Sequence, residues 1–106
     1  MKIDPEARKI AIVAYLTIIG TIAAMLMNSE PRREFASFHV RQALGLNLGF
    51  YLLGYFIGYF DSWLVTSAFW LFFIVLWVYG FASAIQSQAR MVPIVGPYFQ
   101  KWFKNI

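Results

Sequence analysis

The chain has 106 residues, of which 60% are apolar, 20% aromatic and only 13% charged. A soluble domain usually carries about a quarter of its residues as charges, and so short a chain has too little polar surface to wrap three all-round apolar helices. The composition argues for one small helical membrane domain. The lack of cysteine excludes disulfides and thiolate metal sites, and the net charge of +4 forms no basic stripe of the kind nucleic acid requires.

Asp4, Pro5 and Glu6 read as a helix start: a capping carboxylate, a proline at the first helical position, and negative charge at the positive end of the helix dipole. The first apolar run follows, Ile10 to Met27, whose 18 residues suffice to cross a hydrocarbon core of about 30 Å. Lys2, Arg8 and Lys9 ahead of it imitate a signal peptide, but the run is longer than a usual signal core. Met27-Asn28-Ser29 also makes a poor cleavage site, so the run is expected to be a retained span. A bend at Gly20 is the alternative, making the segment re-entrant and keeping those three cations on the cytoplasmic side.

A second helix start is expected at Ser29 or Glu30 before Pro31. It opens an amphipathic helix over 31–42, lying at the interface, in which Phe35, Phe38, His39 and Gln42 share an arc of about 100° while Arg33, Ser37 and Arg41 fall elsewhere. Arg41 is then placed to reach lipid phosphates or a partner's carboxylate with its paired donors.

The second and third spans are expected over 43–60 and 63–85. Only Asp61 and Ser62 separate them, so they form a tight antiparallel hairpin whose far ends share one side of the membrane. Gly45 and Gly49, and again Gly54 and Gly58, are four apart, and the two pairs fall on opposed faces of one helix. One face suits Gly80 and Ala84 of the third span; the other suits the first span or a partner chain. By the positive-inside rule Arg32, Arg33, Arg41, Arg90, Lys101 and Lys104 place the hairpin base and the C-terminal segment in the cytoplasm, with Asp61 outside.

Over 97–106 a short amphipathic helix carries Tyr98, Phe99, Trp102 and Phe103 on one face, with Lys101 and Lys104 opposite. It is expected to lie flat among anionic headgroups. Nothing points to catalysis, a cofactor or a metal: His39 is the only histidine, Asp61 lacks a second carboxylate, and Thr17, Thr21, Asn47, Thr66, Ser67 and Ser83 suit hydrogen bonds between helices.

The run Phe35-Ala36-Ser37-Phe38-His39-Val40-Arg41-Gln42-Ala43-Leu44, with Pro93-Ile94-Val95-Gly96 and Phe99-Gln100-Lys101-Trp102-Phe103, resembles small bacterial multi-pass membrane proteins of an uncharacterised domain group. That group is distantly related to the Tic20-like component of the chloroplast inner-envelope import translocon and to a magnetosome membrane protein. The resemblance covers nearly the whole chain, rests most on Phe38, His39, Arg41 and Gln42, and implies a helical membrane fold involved with membrane protein complexes or translocation. The combined expectation is a non-enzymatic protein of the bacterial inner membrane, an accessory or assembly subunit of a larger complex or a homo-oligomer. The alternative is a component of an oligomeric protein-conducting or small-molecule channel.

Overall fold

The computed structural model describes residues 3–29 and 32–106. Among these residues the chain forms five helices and no strand: α1 (Pro5–Ala14), α2 (Ile18–Met27), α3 (Glu34–Ile57), α4 (Trp63–Ile85) and α5 (Gly96–Trp102). Lys2 and the expected helix start at Glu30 and Pro31 lie outside the described residues.

The first helix begins as its sequence dictates. The Asp4 carboxylate accepts a 2.7 Å hydrogen bond from the Ala7 amide, and Pro5 opens the helix. Ala7, Ile10, Ala11 and Ala14, spaced to share one face, are all fully buried, and three alanines among the four let α1 lie close against its neighbours.

The run 10–27 is not one span. It breaks at Tyr15–Thr17 into two ten-residue helices, because Thr17 adopts extended backbone and its Oγ1 accepts the Gly20 amide at 3.1 Å, starting a new helix. The carbonyls freed by the break find other donors. Thr21 Oγ1 donates to Ala14 O at 2.7 Å, and Trp77 Nε1 donates to Tyr15 O at 2.7 Å, so side chains satisfy two of the carbonyls at the break. The bend lies at 15–17 and not at Gly20. Gly20 instead permits a close approach, since a methyl there would overlap the Val13 carbonyl, and glycine lets α2 fold tightly against the end of α1.

Among the described residues of 31–42 there is no separate interfacial helix. From Glu34 that segment continues without a break into the second apolar run as one helix, α3, 24 residues or about 36 Å long. The residue before it, Arg33, is held by Asn28, whose Oδ1 accepts Arg33 N at 2.9 Å. After the turn at Asp61, Ser62 caps α4 by accepting the Val65 amide at 3.3 Å, and α4 returns antiparallel to α3 as expected. Phe50 anchors the pairing, with ring centroids 5.5, 5.0 and 5.7 Å from Phe69, Trp70 and Phe73.

The buried residues of α3 all lie between Phe35 and Leu46, and those of α4 between Phe73 and Ala84. The core thus sits at one end of a molecule 46 Å long and 22 Å across, where α1, α2 and α5 gather around the hairpin base. Beyond Phe50 the two long helices continue as an unclad pair. Among the described helices only α4, with a mean hydropathy of 2.1, is long and apolar enough to cross a membrane. The three-span expectation fails on two particulars. The first run is broken, and the second is a stretch of a longer helix that carries Arg41, Gln42 and Asn47.

Candidate functional site

The sequence places the motif Phe38, His39, Arg41 and Gln42 on an interfacial helix, with Arg41 reaching lipid phosphates or a partner's carboxylate, and the structure turns two of its members inward. His39 and Gln42 are both fully buried. The His39 ring is boxed edge-on by Phe35, Phe38 and Tyr15, at centroid distances of 4.8, 5.1 and 5.5 Å.

A directed hydrogen-bond chain fills this box. His39 Nε2 lies 2.8 Å from Gln88 O, a group that only accepts, so Nε2 carries the ring proton. Nδ1 is then the acceptor and takes the Tyr15 hydroxyl at 2.6 Å. The Tyr15 oxygen in turn accepts Gln42 Nε2 at 2.9 Å; the same amide donates to Arg90 O at 3.1 Å, and Gln42 Oε1 accepts Val92 N at 2.8 Å. Burial pulls the His39 imidazole down to about 4, against a smaller upward pull from the Gln88 carbonyl, so the ring is neutral near neutral pH.

His39 and Gln42, one turn apart on α3, therefore hold the non-helical stretch 88–92 as a neighbouring strand would. The chain reaches them through Ser87, whose φ of 57° closes α4 in a left-handed turn with Gln88 N on Ser83 O at 2.8 Å. Farther on, Ile94 at φ 71° sits at the centre of a γ-turn closed by Val95 N on Pro93 O at 2.8 Å, which aims α5 back at α3.

The expected interfacial helix over 97–106 is in fact α5, Gly96–Trp102, and it docks on protein with one side. Phe99 is buried, its ring seated where Gly45 has no side chain. Phe103 is half-buried against the core, while Tyr98, Lys101, Trp102 and Lys104 stay exposed. Arg41 is clasped to the end of α5. Its Nε and Nη2 donate to Phe103 O at 3.2 Å and Lys104 O at 2.9 Å, and Nη1 to Gln100 Oε1 at 3.4 Å, so a cation closes the C-terminal end of α5. Gln100 Nε2 completes the clasp on Phe38 O at 2.8 Å. Arg8 treats α4 the same way, with Nε on Ile85 O at 3.0 Å.

The glycine pairs are redistributed as well. Gly49 and Gly54 both face α4, against Phe73 and Phe69, while Gly45 receives α5 and Gly58 is the C-cap of α3 with only its own helix nearby. The face expected to take the first span or a partner chain is not the one so used, and at Gly45 a single phenylalanine from α5 fills the space. Gly80 serves the junction itself, since a Cβ there would stand 2.9 Å from a Tyr15 ring carbon and 3.2 Å from Gln42 Nε2. Ala84, its companion, is fully buried.

No family model, curated protein or solved structure matches this chain. The geometry alone therefore carries the chemistry. Both nitrogens of His39 are committed, so it offers no lone pair to a metal or substrate without breaking a bond, and no three His, Asp or Glu gather to hold a metal among the described residues. Beneath the junction, a groove of about 320 Å³ opens between the α1–α2 elbow, α3 and α4. Trp70, Trp77, Phe50 and Phe73 wall it, and Thr17 and Asn47 are among its polar residues. Asn47 Nδ2 is spent on Thr21 Oγ1 at 2.8 Å and Ala43 O at 2.9 Å.

Sequence reasoning missed Tyr15, Trp77, Arg8 and Gln100. Tyr15 left a signal, as the only aromatic residue in the aliphatic run 10–27. The others left none, because each acts on a backbone carbonyl or side chain some 60 to 77 residues away.

Proposed function

We propose that this chain is a small integral protein of the bacterial cytoplasmic membrane that carries out no reaction of its own and serves as an accessory or assembly subunit of a larger membrane complex. The far half of the α3–α4 hairpin carries the reading. Tyr51, Leu52, Tyr55 and Phe56 on α3, and Trp63, Leu64 and Leu71 on α4, are each more than half exposed. Apolar area left in water costs about 25 cal/mol per Å², and soluble monomers rarely carry a contiguous apolar patch beyond a few hundred Å². In hydrocarbon the same surface costs nothing and is free to pack on other helices.

In this reading α4 and the apolar part of α3, from about Ala43, cross the bilayer as a hairpin with Asp61 outside. The α1–α2 elbow enters and returns on the cytoplasmic side. The contacts of Arg8 with Ile85 O and of Arg33 with Asp4, at 3.0 and 3.5 Å, support that arrangement, because they hold the start of α1 at the hairpin base. All the border cations then share one side. The likeness of the Phe38–Gln42 motif to the import-related group is consistent with membership of a complex.

Single cysteines at Asp61 and at Asn105 should label from opposite faces of intact membrane vesicles, with Lys9→Cys labelling from the same face as Asn105→Cys. Capture in mild detergent should recover a stoichiometric larger partner. Release of the protein by alkaline carbonate would defeat the membrane reading, and a conducting homo-oligomer without a partner would replace the subunit reading with a channel.

A further inference from the structure

The opening turns of α3 carry a second concavity, of about 390 Å³, lined by Arg32, Glu34, Ser37, Phe38 and Arg41. Its charges do not cancel. Arg33 pairs with Asp4, but Arg32 makes no ion pair among the described residues, and three of the five donors of Arg41 go to uncharged oxygens. Among the described residues that line it, two guanidinium charges thus stand against a single carboxylate, Glu34. They feel each other: burial first, and then the charge of Arg32, pulls Arg41 below its ordinary value. An anion between them would relieve that repulsion.

The surroundings indicate which anion. Lys104 is tied to Arg41 through its backbone carbonyl, and the side chains of Lys104 and of Lys101 on α5 are exposed. Tyr98 and Trp102 pack with centroids 5.6 Å apart on that helix and are more than half exposed. Exposed Tyr and Trp beside Lys and Arg are the residue set that settles at headgroup level.

We propose that this pocket binds the phosphate of an anionic glycerophospholipid, with Arg32 as its principal ligand and Arg41 supplying field from its fixed position against α5. Arginine suits this role because two parallel donors meet two phosphate oxygens. A volume of this size takes a phosphate with its glycerol. The inference rests on the membrane reading above, but the two fail separately, because lipid retention is measured in micelles.

The deciding experiment is native mass spectrometry of the full chain in detergent, with phosphatidylglycerol and phosphatidylcholine at equal mole fraction. Phosphatidylglycerol should be retained in preference. Arg32→Gln should lower that retention about fivefold, the equivalent of about 1 kcal/mol for one cation near an anionic surface. Arg32→Lys should fall between, and Lys9→Gln, which removes one charge outside the pocket, should match the parent. No preference for the anionic lipid, or equal losses in Arg32→Gln and Lys9→Gln, would overturn the proposal. Displacement of the lipid by millimolar inorganic phosphate would overturn it too, by assigning the pocket to a soluble anion.

Discussion

The Tyr15 hydroxyl stands 2.6 Å from Nδ1 of His39 and takes its own hydrogen bond from Gln42, so it can donate only to the histidine. One proton position therefore orders the whole chain of donors, from the Gln42 amide through the phenol and imidazole to the Gln88 carbonyl. Tyr15→Phe removes the middle of it and leaves a buried ring nitrogen without a partner. We expect a loss of about 2 kcal/mol, within the range for stranding one buried polar group. Thermal unfolding in detergent, followed by tryptophan fluorescence, checks it; an unchanged midpoint would mean that the junction carries no stability.

His39 links stability to acid. Folded, it titrates near 4; unfolded, near its ordinary 6.5. The unfolded chain therefore binds the proton first, so the contribution is complete above about pH 6.5 and is lost progressively as pH falls toward 4. At about 1.4 kcal/mol per pH unit the loss reaches about 3 kcal/mol. Melting temperatures from pH 7.5 to 4.5 should drop steeply for the parent and shallowly for His39→Gln. Parallel slopes would remove His39 as the cause.

Glycines 45 and 49 should answer substitution with opposite signs. A methyl at Gly45 overlaps the Phe99 ring, so Gly45→Ala should unseat α5 and expose the chain after Val92 to protease. At Gly49 the new Cβ would lie 3.4 Å from the Phe73 ring, an ordinary contact, and alanine in a helix gains up to about 1 kcal/mol over glycine. Gly49→Ala should be neutral or stabilising. Equal destabilisation by both would return Gly49 to the close-packing role assigned by helical wheel.

Arg41→Lys keeps the charge and loses the fork that holds Phe103 O, Lys104 O and Gln100 at once. The expected result is a looser α5 with the fold intact: faster protease cleavage at Lys101 and a red-shifted Trp102 emission, at a cost of about 1 kcal/mol. Cleavage at the parent rate would show that charge alone suffices.

The start at Asp4-Pro5 and the turn at Asp61-Ser62 were legible because their causes are local: a cap, a proline, two polar residues between apolar runs. The break at 15–17 was not. No proline or glycine marks it, and the group that satisfies Tyr15 O belongs to Trp77, 62 residues on. The motif residues were recognised as a set but placed in the wrong surroundings. A helical wheel gives the angle at which Phe35, His39 and Gln42 point, and that angle is the same whether lipid headgroups or the folded-back stretch 88–92 occupy the space.

That stretch also imposes an order on biosynthesis. Gln88 O, Arg90 O and Val92 N reach the ribosome exit only after both long helices have been made, so until then His39 and Gln42 have just Tyr15 for company. The first half of α3 must keep those polar groups wet while the hairpin forms, and it can dehydrate only when the chain beyond α4 folds back over it. Closure of the base is in this way the last event of assembly, and a nascent chain stalled before Gln88 would carry its hairpin with the base still open.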